Sequence, residues 1–232
     1  MEKYDYSGFR LNKLTSPEYK HILLLLYWPF YGLMFLILER FVHIEHHVIT
    51  SPLDKYIPFC EYFVIPYYFW FVFMFWIMVY SFFYDVDAFK KYSWFIIITY
   101  TIALLTYIIY PNEQQLRPDS FERSNIFTYI TSLLYFSDTN TDVCPSVHII
   151  GSLATMFTAW HSKRYGTVFW RISFFVMTVI ICASTLFLKQ HSFTDVFAGI
   201  IVSIVVYPFV YLRKKNKTDN THTEEKQKAL KT

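Results

Sequence analysis

The sequence predicts an all-α integral membrane protein: a bundle of six transmembrane helices, with an interfacial amphipathic helix between spans three and four. Three observations lead there. The 232 residues are 54% hydrophobic and 22% aromatic, a balance that a soluble domain of this size does not show. The apolar residues gather in runs of about twenty, the length that carries a helix across roughly 30 Å of hydrocarbon. The basic residues collect in alternate connecting segments, as they do in a chain that crosses a membrane repeatedly.

Residues 1–20 are polar. The first span, 22–42, follows them without a small-residue cleavage site, so it reads as a retained helix and not a signal peptide. Just beyond it, "HIEHH" sets His43, His46 and His47 at i, i+3 and i+4. That spacing suits zinc, but no fourth ligand accompanies it, so the end of an interfacial helix is expected there and no metal. Spans two and three occupy 62–84 and 92–110, with Lys90 and Lys91 between them. In the next connection, 121–136 ("FERSNIFTYITSLLYF") places Ile126, Phe127, Ile130, Leu133 and Leu134 along one helical stripe. This helix is expected to lie in the outer interface and roof a site beneath it; a loop helix that merely packs is the alternative. Spans four to six cover 146–162, 168–188 and 193–212, and residues 213–232 form a polar, basic tail. No internal repeat is visible, so residues 21–212 make one membrane domain between two cytoplasmic segments.

Formal net charge is only +3, and its distribution says more. With the N-terminus inside, sixteen Lys and Arg fall in cytoplasmic segments, against five outside: Arg40, Lys55, Arg117, Arg123 and Lys189. The positive-inside rule then puts both termini in the cytoplasm of a multi-pass cell-membrane protein. The basic tail reads as a topology signal, so the expected partners are the bilayer and its lipids, not nucleic acid. Cys182 falls within span five as a packing residue. Cys60 and Cys144 share the outer side and are read as unpaired, although an oxidising compartment would allow a disulfide.

This topology brings Arg117, His148, Lys189, His191 and Asp195 to one membrane face, the extracytoplasmic one. Ionisable groups at membrane depth are costly and usually functional. The stretch "CPSVH" opens span four. With Pro145 as the first helical residue, Ser146, Val147 and His148 lie beside free N–H groups at the positive end of the helix dipole, a seat for phosphate. His191 and Asp195, four apart on one expected helix, are stacked neighbours. A carboxylate on one ring nitrogen fixes the tautomer and frees the other as a nucleophile. His148 suits a general acid, Arg117 a bidentate grip on phosphate oxygens, and Lys189 an added point charge. Together these make a metal-free phosphoryl-transfer site working through a phosphohistidine.

These residues resemble the type 2 phosphatidic acid phosphatase superfamily, whose ordered motifs are K-x6-R-P, P-S-x-H and S-R-x5-H-x3-D. The second is intact as Pro145, Ser146, Val147 and His148. The first keeps Arg117 and Pro118, with Tyr110 at its lysine position. The third keeps Ser184, His191 and Asp195, with Thr185 at its arginine position. The resemblance implies His191 as nucleophile, His148 as acid, Asp195 as its orienting partner, and no cofactor. It implies dephosphorylation of a membrane lipid phosphate: phosphatidate, phosphatidylglycerol phosphate or a polyprenyl phosphate. The thinned cradle, with Lys189 a candidate replacement, leaves open a head-group phosphotransferase similar to sphingomyelin or inositol phosphorylceramide synthases, with a lipid alcohol as acceptor. A non-catalytic lipid-phosphate-binding protein is the other alternative.

Overall fold

The computed structural model describes residues 2–41 and 45–212. Helix α1 (Tyr27–Phe41) continues a 3-10 segment, Lys20–Leu26. Helices α2 (Val64–Tyr84) and α3 (Val86–Ile109) are joined by Asp85 alone, whose carboxylate accepts from Ala88 N–H at 3.3 Å and from Lys163 N–H at 3.0 Å. Span three therefore begins at Val86 rather than 92, and Lys90 and Lys91 sit on its first turns instead of in a loop. Then follow α4 (Ile126–Ser137), α5 (Val147–His161), α6 (Val168–Phe187) and α7 (Phe193–Tyr207), the last extended by a π turn through Leu212.

Among the described residues, five stretches are long and apolar enough to cross a membrane: Lys20–Arg40, Glu61–Tyr84, Val86–Ile109, Val168–Phe187 and Phe193–Leu212. The expected fourth span is shorter. Helix α5 has 15 residues, about 22 Å at 1.5 Å per residue. It lies at the centre of the bundle against α2, α3, α6 and α7. Because it faces protein rather than lipid, it tolerates small and hydroxylated residues. Ser152 Oγ donates to the His148 carbonyl at 2.7 Å and Thr155 Oγ1 to that of Gly151 at 2.9 Å, so their burial leaves no polar atom unpaired.

Two glycines let the helices approach. A Cβ on Gly151 would come within 3 Å of Met74 Sδ, the Tyr100 hydroxyl and the Trp70 ring. A Cβ on Gly199 of α7 would stand 3.0 Å from the Ser146 carbonyl oxygen and 3.1 Å from Ile149 Cβ. Gly199→Val should therefore push α7 away from the start of α5. The expected loss is about 1–3 kcal/mol, read as a lower Tm in detergent; an unchanged Tm would mean the two helices do not bear on each other there.

The connections on the α5 N-terminal side are stitched together. Strands β1 (His47–Val48) and β2 (Asn112–Glu113) pair in parallel, His47 opposite Asn112. Asn112 accepts from the Val143 and Cys144 N–H groups at 3.0 and 2.7 Å and donates to the Tyr110 and Cys144 carbonyls. His47 thus belongs to a strand, not to a helix end, and its ring stacks on Tyr110 at 4.4 Å; His43 lies outside the described residues. Helix α4 starts later than expected, capped by Asn125, and its apolar stripe is split. Leu134 is buried, with Phe127 and Ile130 packed beside it, against Val64 and Tyr67, whereas Ile126 and Leu133 remain exposed. Thr128 and Thr131 take the buried positions instead, because their hydroxyls bond within the helix at Asn125 and Phe127. The three cysteines are free.

Candidate active site

The site assembles where α5 and α7 begin. Ser146, not Pro145, is the N-cap of α5, and Pro145 precedes it through a cis peptide bond. Its carbonyl accepts from the Tyr107 hydroxyl at 2.7 Å, which anchors the turn to α3. The first helical bond closes from Ile150 N–H to the Ser146 carbonyl, 3.1 Å, so the N–H groups of Val147, His148 and Ile149 precede the helical ladder. Ser146 Oγ is buried and has no partner among the described residues.

His191 is likewise outside its helix. Ser192 caps α7 in a capping box, and Asp195 returns the bond from its N3 position, Oδ2 accepting from Ser192 N–H at 2.9 Å. The spacing of four thus works through a cap, not through one helical face. It still brings His191 Nδ1 to 3.5 Å from Asp195 Oδ2, inside a fully buried carboxylate's field. At that distance Nδ1 makes no hydrogen bond among the described residues, while Nε2 meets His148 Nδ1 at 3.2 Å. His148 sits between Tyr67 and Trp70, with ring centroids at 4.7 and 4.4 Å.

Asp54, which the sequence did not mark, holds this arrangement. It is buried and accepts from Ser192 Oγ at 2.7 Å, Phe193 N–H at 2.8 Å and Ser51 N–H at 2.7 Å. Nothing in its stretch, "SPLDKYIPF", set it apart from the other charged residues of that connection. Lys189 turns the chain between α6 and α7 in the left-handed region, φ 55°. Its Nζ donates to the carbonyls of Asp54 and Ile57, away from the histidines.

Arg117 is also engaged by the protein. Its guanidinium donates to the carbonyls of Tyr135, Asp138 and Thr139 and to Gln190 Oε1, and lies over the Tyr135 ring at 4.5 Å. It closes the C-terminal end of α4 onto the residue before His191. Burial lowers the pKa of both Arg117 and Lys189. Ser184 and Thr185 are buried, their hydroxyls bonded to the Ile181 and Cys182 carbonyls, and the Thr185 carbonyl accepts from the N–H groups of Gln190 and His191. Tyr110 stands apart, stacked on His47.

A chamber of about 340 Å³ opens on the two histidines. Its wall includes Tyr31, Tyr67, Trp70, Val147, Asp138 and Asp142, and neither Arg117 nor Lys189 reaches it. Next to it, and sharing Tyr31, Trp70, Phe71 and Val147, runs an apolar groove of about 340 Å³ between α1, α2 and α3. Residues 110–219 match the model of the PAP2 superfamily. The match covers just under half of the chain. No curated protein and no solved structure matches the chain significantly. PAP2 members are phosphatases or related phosphotransferases, so the match supports enzymatic lipid-phosphate chemistry at the level of the family.

The PAP2 segment also carries Asp142, in the left-handed region at φ 53° and buried. Burial pushes its carboxyl up to about 6, with Glu39 adding to the rise and His46 opposing it. The folded chain holds this proton more tightly than the unfolded chain, so Asp142 makes stability fall as pH rises from about 4 to about 6. Asp142→Asn should accordingly raise Tm at neutral pH, with the gain shrinking as pH approaches about 4. Asparagine accepts the left-handed backbone, so the change removes charge alone. A Tm that drops at neutral pH would show that the charge is already partnered.

Proposed function

We propose that the protein is a metal-independent lipid phosphatase acting through a phosphohistidine, with His191 as nucleophile, Asp195 as its orienting partner and His148 as general acid. The continuous His148–His191–Asp195 contact, at the mouth of an apolar groove, carries this reading. His191 Nε2 attacks phosphorus while His148 Nδ1 gives its proton to the departing lipid oxygen. Water then attacks the phosphohistidine, returning a proton to His148 and freeing phosphate. In the ligand-free site the two reacting nitrogens satisfy each other, so substrate must replace that 3.2 Å bond. The N–H groups at the start of α5 and Ser146 Oγ are the nearest donors for charge developing on the phosphoryl oxygens.

The membrane setting of this reading is six spans, with α5 crossing among α2, α3, α6 and α7 and α4 in the outer interface. The outward faces of α2 (Phe71, Phe75, Trp76), α6 (Phe169, Ile172) and α7 (Phe197, Ile204) are exposed and apolar, as lipid contact requires. The charge asymmetry of the connections supports cytoplasmic termini and an extracytoplasmic site. A head-group phosphotransferase is favoured by one observation: among the described residues, no lysine or arginine lines the chamber. Retention of all three reacting groups argues against a purely binding protein.

No step of this chemistry draws on a metal, so chelators should leave turnover unchanged. Orthovanadate, which takes five-coordinate geometry at a nucleophilic histidine, should inhibit in competition with lipid. The measurement is release of inorganic phosphate from phosphatidate in detergent micelles. Activity that vanishes with chelator and returns with magnesium would overturn the mechanism.

A further inference from the structure

We propose that Asp138 holds the water that clears the phosphohistidine, so that the site releases its phosphoryl group to water in preference to an alcohol. This rests on the phosphohistidine reading above and assigns the entering group of the same reaction. Asp138 is the C-cap of α4, is half-buried, and lines the chamber with His148 and His191. Two neighbours fix its carboxylate through one oxygen: Oδ2 accepts from the Tyr67 hydroxyl at 2.5 Å and from Gln190 Nε2 at 3.3 Å. Tyr67 packs its ring on His148, centroids 4.7 Å apart, and Gln190 immediately precedes His191. The carboxylate is thus tied to a neighbour of each reacting histidine. Oδ1 accepts no hydrogen bond from the described residues and stays accessible.

A fixed acceptor beside a reacting centre calls for a donor. The nearby cations do not serve: Arg117 Nη2 donates to the Asp138 carbonyl and not to its carboxylate, and Lys189 Nζ is held by the Asp54 and Ile57 carbonyls. The entering nucleophile does. Water brings two hydrogens to phosphorus; one goes to His148, and the other meets Asp138 Oδ1. An alcohol has one hydrogen, which His148 takes, so its carbon would face Asp138 and leave that oxygen without a donor. Sites built to bond a hydroxyl hydrogen reject analogues that lack it. Burial raises the Asp138 carboxyl above the ordinary carboxylate range, with Tyr67, His191 and Arg117 opposing the rise and Glu39 adding to it. The net rise makes it a better acceptor, and the Arg117 charge close by offsets its repulsion of phosphoryl oxygens.

The step balances with water as co-reactant. The water oxygen forms a bond to phosphorus as the bond from phosphorus to His191 Nε2 breaks, and that electron pair returns to Nε2. One water proton goes to His148 Nδ1, which gave its own to the departing lipid oxygen. The second stays on the oxygen, held by Asp138 Oδ1 during the attack, and leaves with inorganic phosphate. Asp138 ends as it began.

The test uses the full chain in detergent micelles with phosphatidate labelled at phosphorus and methanol added as a competing acceptor. Inorganic phosphate and methyl phosphate are measured, and labelled phosphoryl-protein is trapped by alkaline quench. The wild type should favour water over methanol by about tenfold or more per molecule of acceptor. In Asp138→Asn the amide carbonyl keeps the Tyr67 bond and its N–H faces the chamber, a donor in place of an acceptor. The water-to-methanol ratio should then fall about tenfold, steady-state turnover should fall with it, and trapped phosphoryl-protein should rise. A residue that only supports the fold would lower both products together and leave their ratio unmoved. Where Asp138→Asn does not fold, Tyr67→Phe, which frees the carboxylate from its fixing bond, is read instead and should shift the ratio the same way by about threefold. An unchanged ratio in the folded variant, or methanol favoured by the wild type, overturns the role of Asp138 and leaves the phosphohistidine standing. Absence of both products and of phosphoryl-protein from the wild type overturns the phosphohistidine reading as well.

Discussion

His191→Gln is expected to reduce phosphoryl transfer by at least about four orders of magnitude, because removing a nucleophile eliminates the covalent route and leaves only binding and electrostatic assistance. Glutamine fills much of the imidazole volume and can still accept from His148 Nδ1, so the packing against Tyr67 and Trp70 should survive. Two measurements check this: turnover on the best lipid substrate, and Tm in detergent. The result that sinks the assignment is near-wild-type turnover in a folded variant. Trapping a labelled phosphoryl group on the wild-type chain at acid-labile, base-stable linkage, and its absence from His191→Gln, gives the same answer without kinetics.

Asp195→Asn is expected to lower kcat by about three to four orders of magnitude while leaving lipid binding nearly unchanged. The carboxylate holds the proton on His191 Nδ1; an amide offers an N–H there as readily as a carbonyl and so favours the wrong tautomer. It also stabilises the cation that forms at His191 once phosphorus is bound. Oδ2 faces both the ring and the Ser192 N–H, now at 2.9 Å, so an asparagine that turns its N–H toward His191 also gives up that cap bond, and one that keeps its carbonyl there loses only the charge. A loss shown only as a fall in Tm, with kcat intact in the folded fraction, would mean that Asp195 is a cap and nothing more. Asp54→Asn should lie between these outcomes, because Asp54 acts on Ser192 and Phe193 rather than on the ring.

Much of the site was legible before any fold was known. The spacing of Pro145, Ser146 and His148 and of His191 and Asp195 pointed to candidate reacting groups, and the structure brings His148, His191 and Asp195 close together. The local reasons differed. Both pairs were expected on helices, and both sit at helix starts, with Ser146 and Ser192 as caps and His191 outside α7 altogether. A period of four is common to a helical turn and to a capping loop, so spacing cannot separate them. Arg117 and Lys189 illustrate a harder limit. A sequence shows that a cation is nearby, but not whether backbone carbonyls have already claimed it.

The composition and the charge pattern were sufficient for an all-α chain of long apolar helices, because crossing or lining hydrocarbon constrains every residue of such a helix. Motif spacing singled out His148, His191 and Asp195 as candidates, because chemistry restricts residue type more tightly than packing does. The length of α5 was decided by tertiary structure: surrounded by helices, it is free of the apolar constraint that lipid imposes. So was the setting of Asp142, one more acid in the polar loop "SDTNTDV" until folding placed it in the wall of the chamber that opens on the histidines. Burial and partnership are properties of the surroundings, and residues 31, 67, 70 and 142 become surroundings for one another only when α1, α2 and the loop before α5 converge.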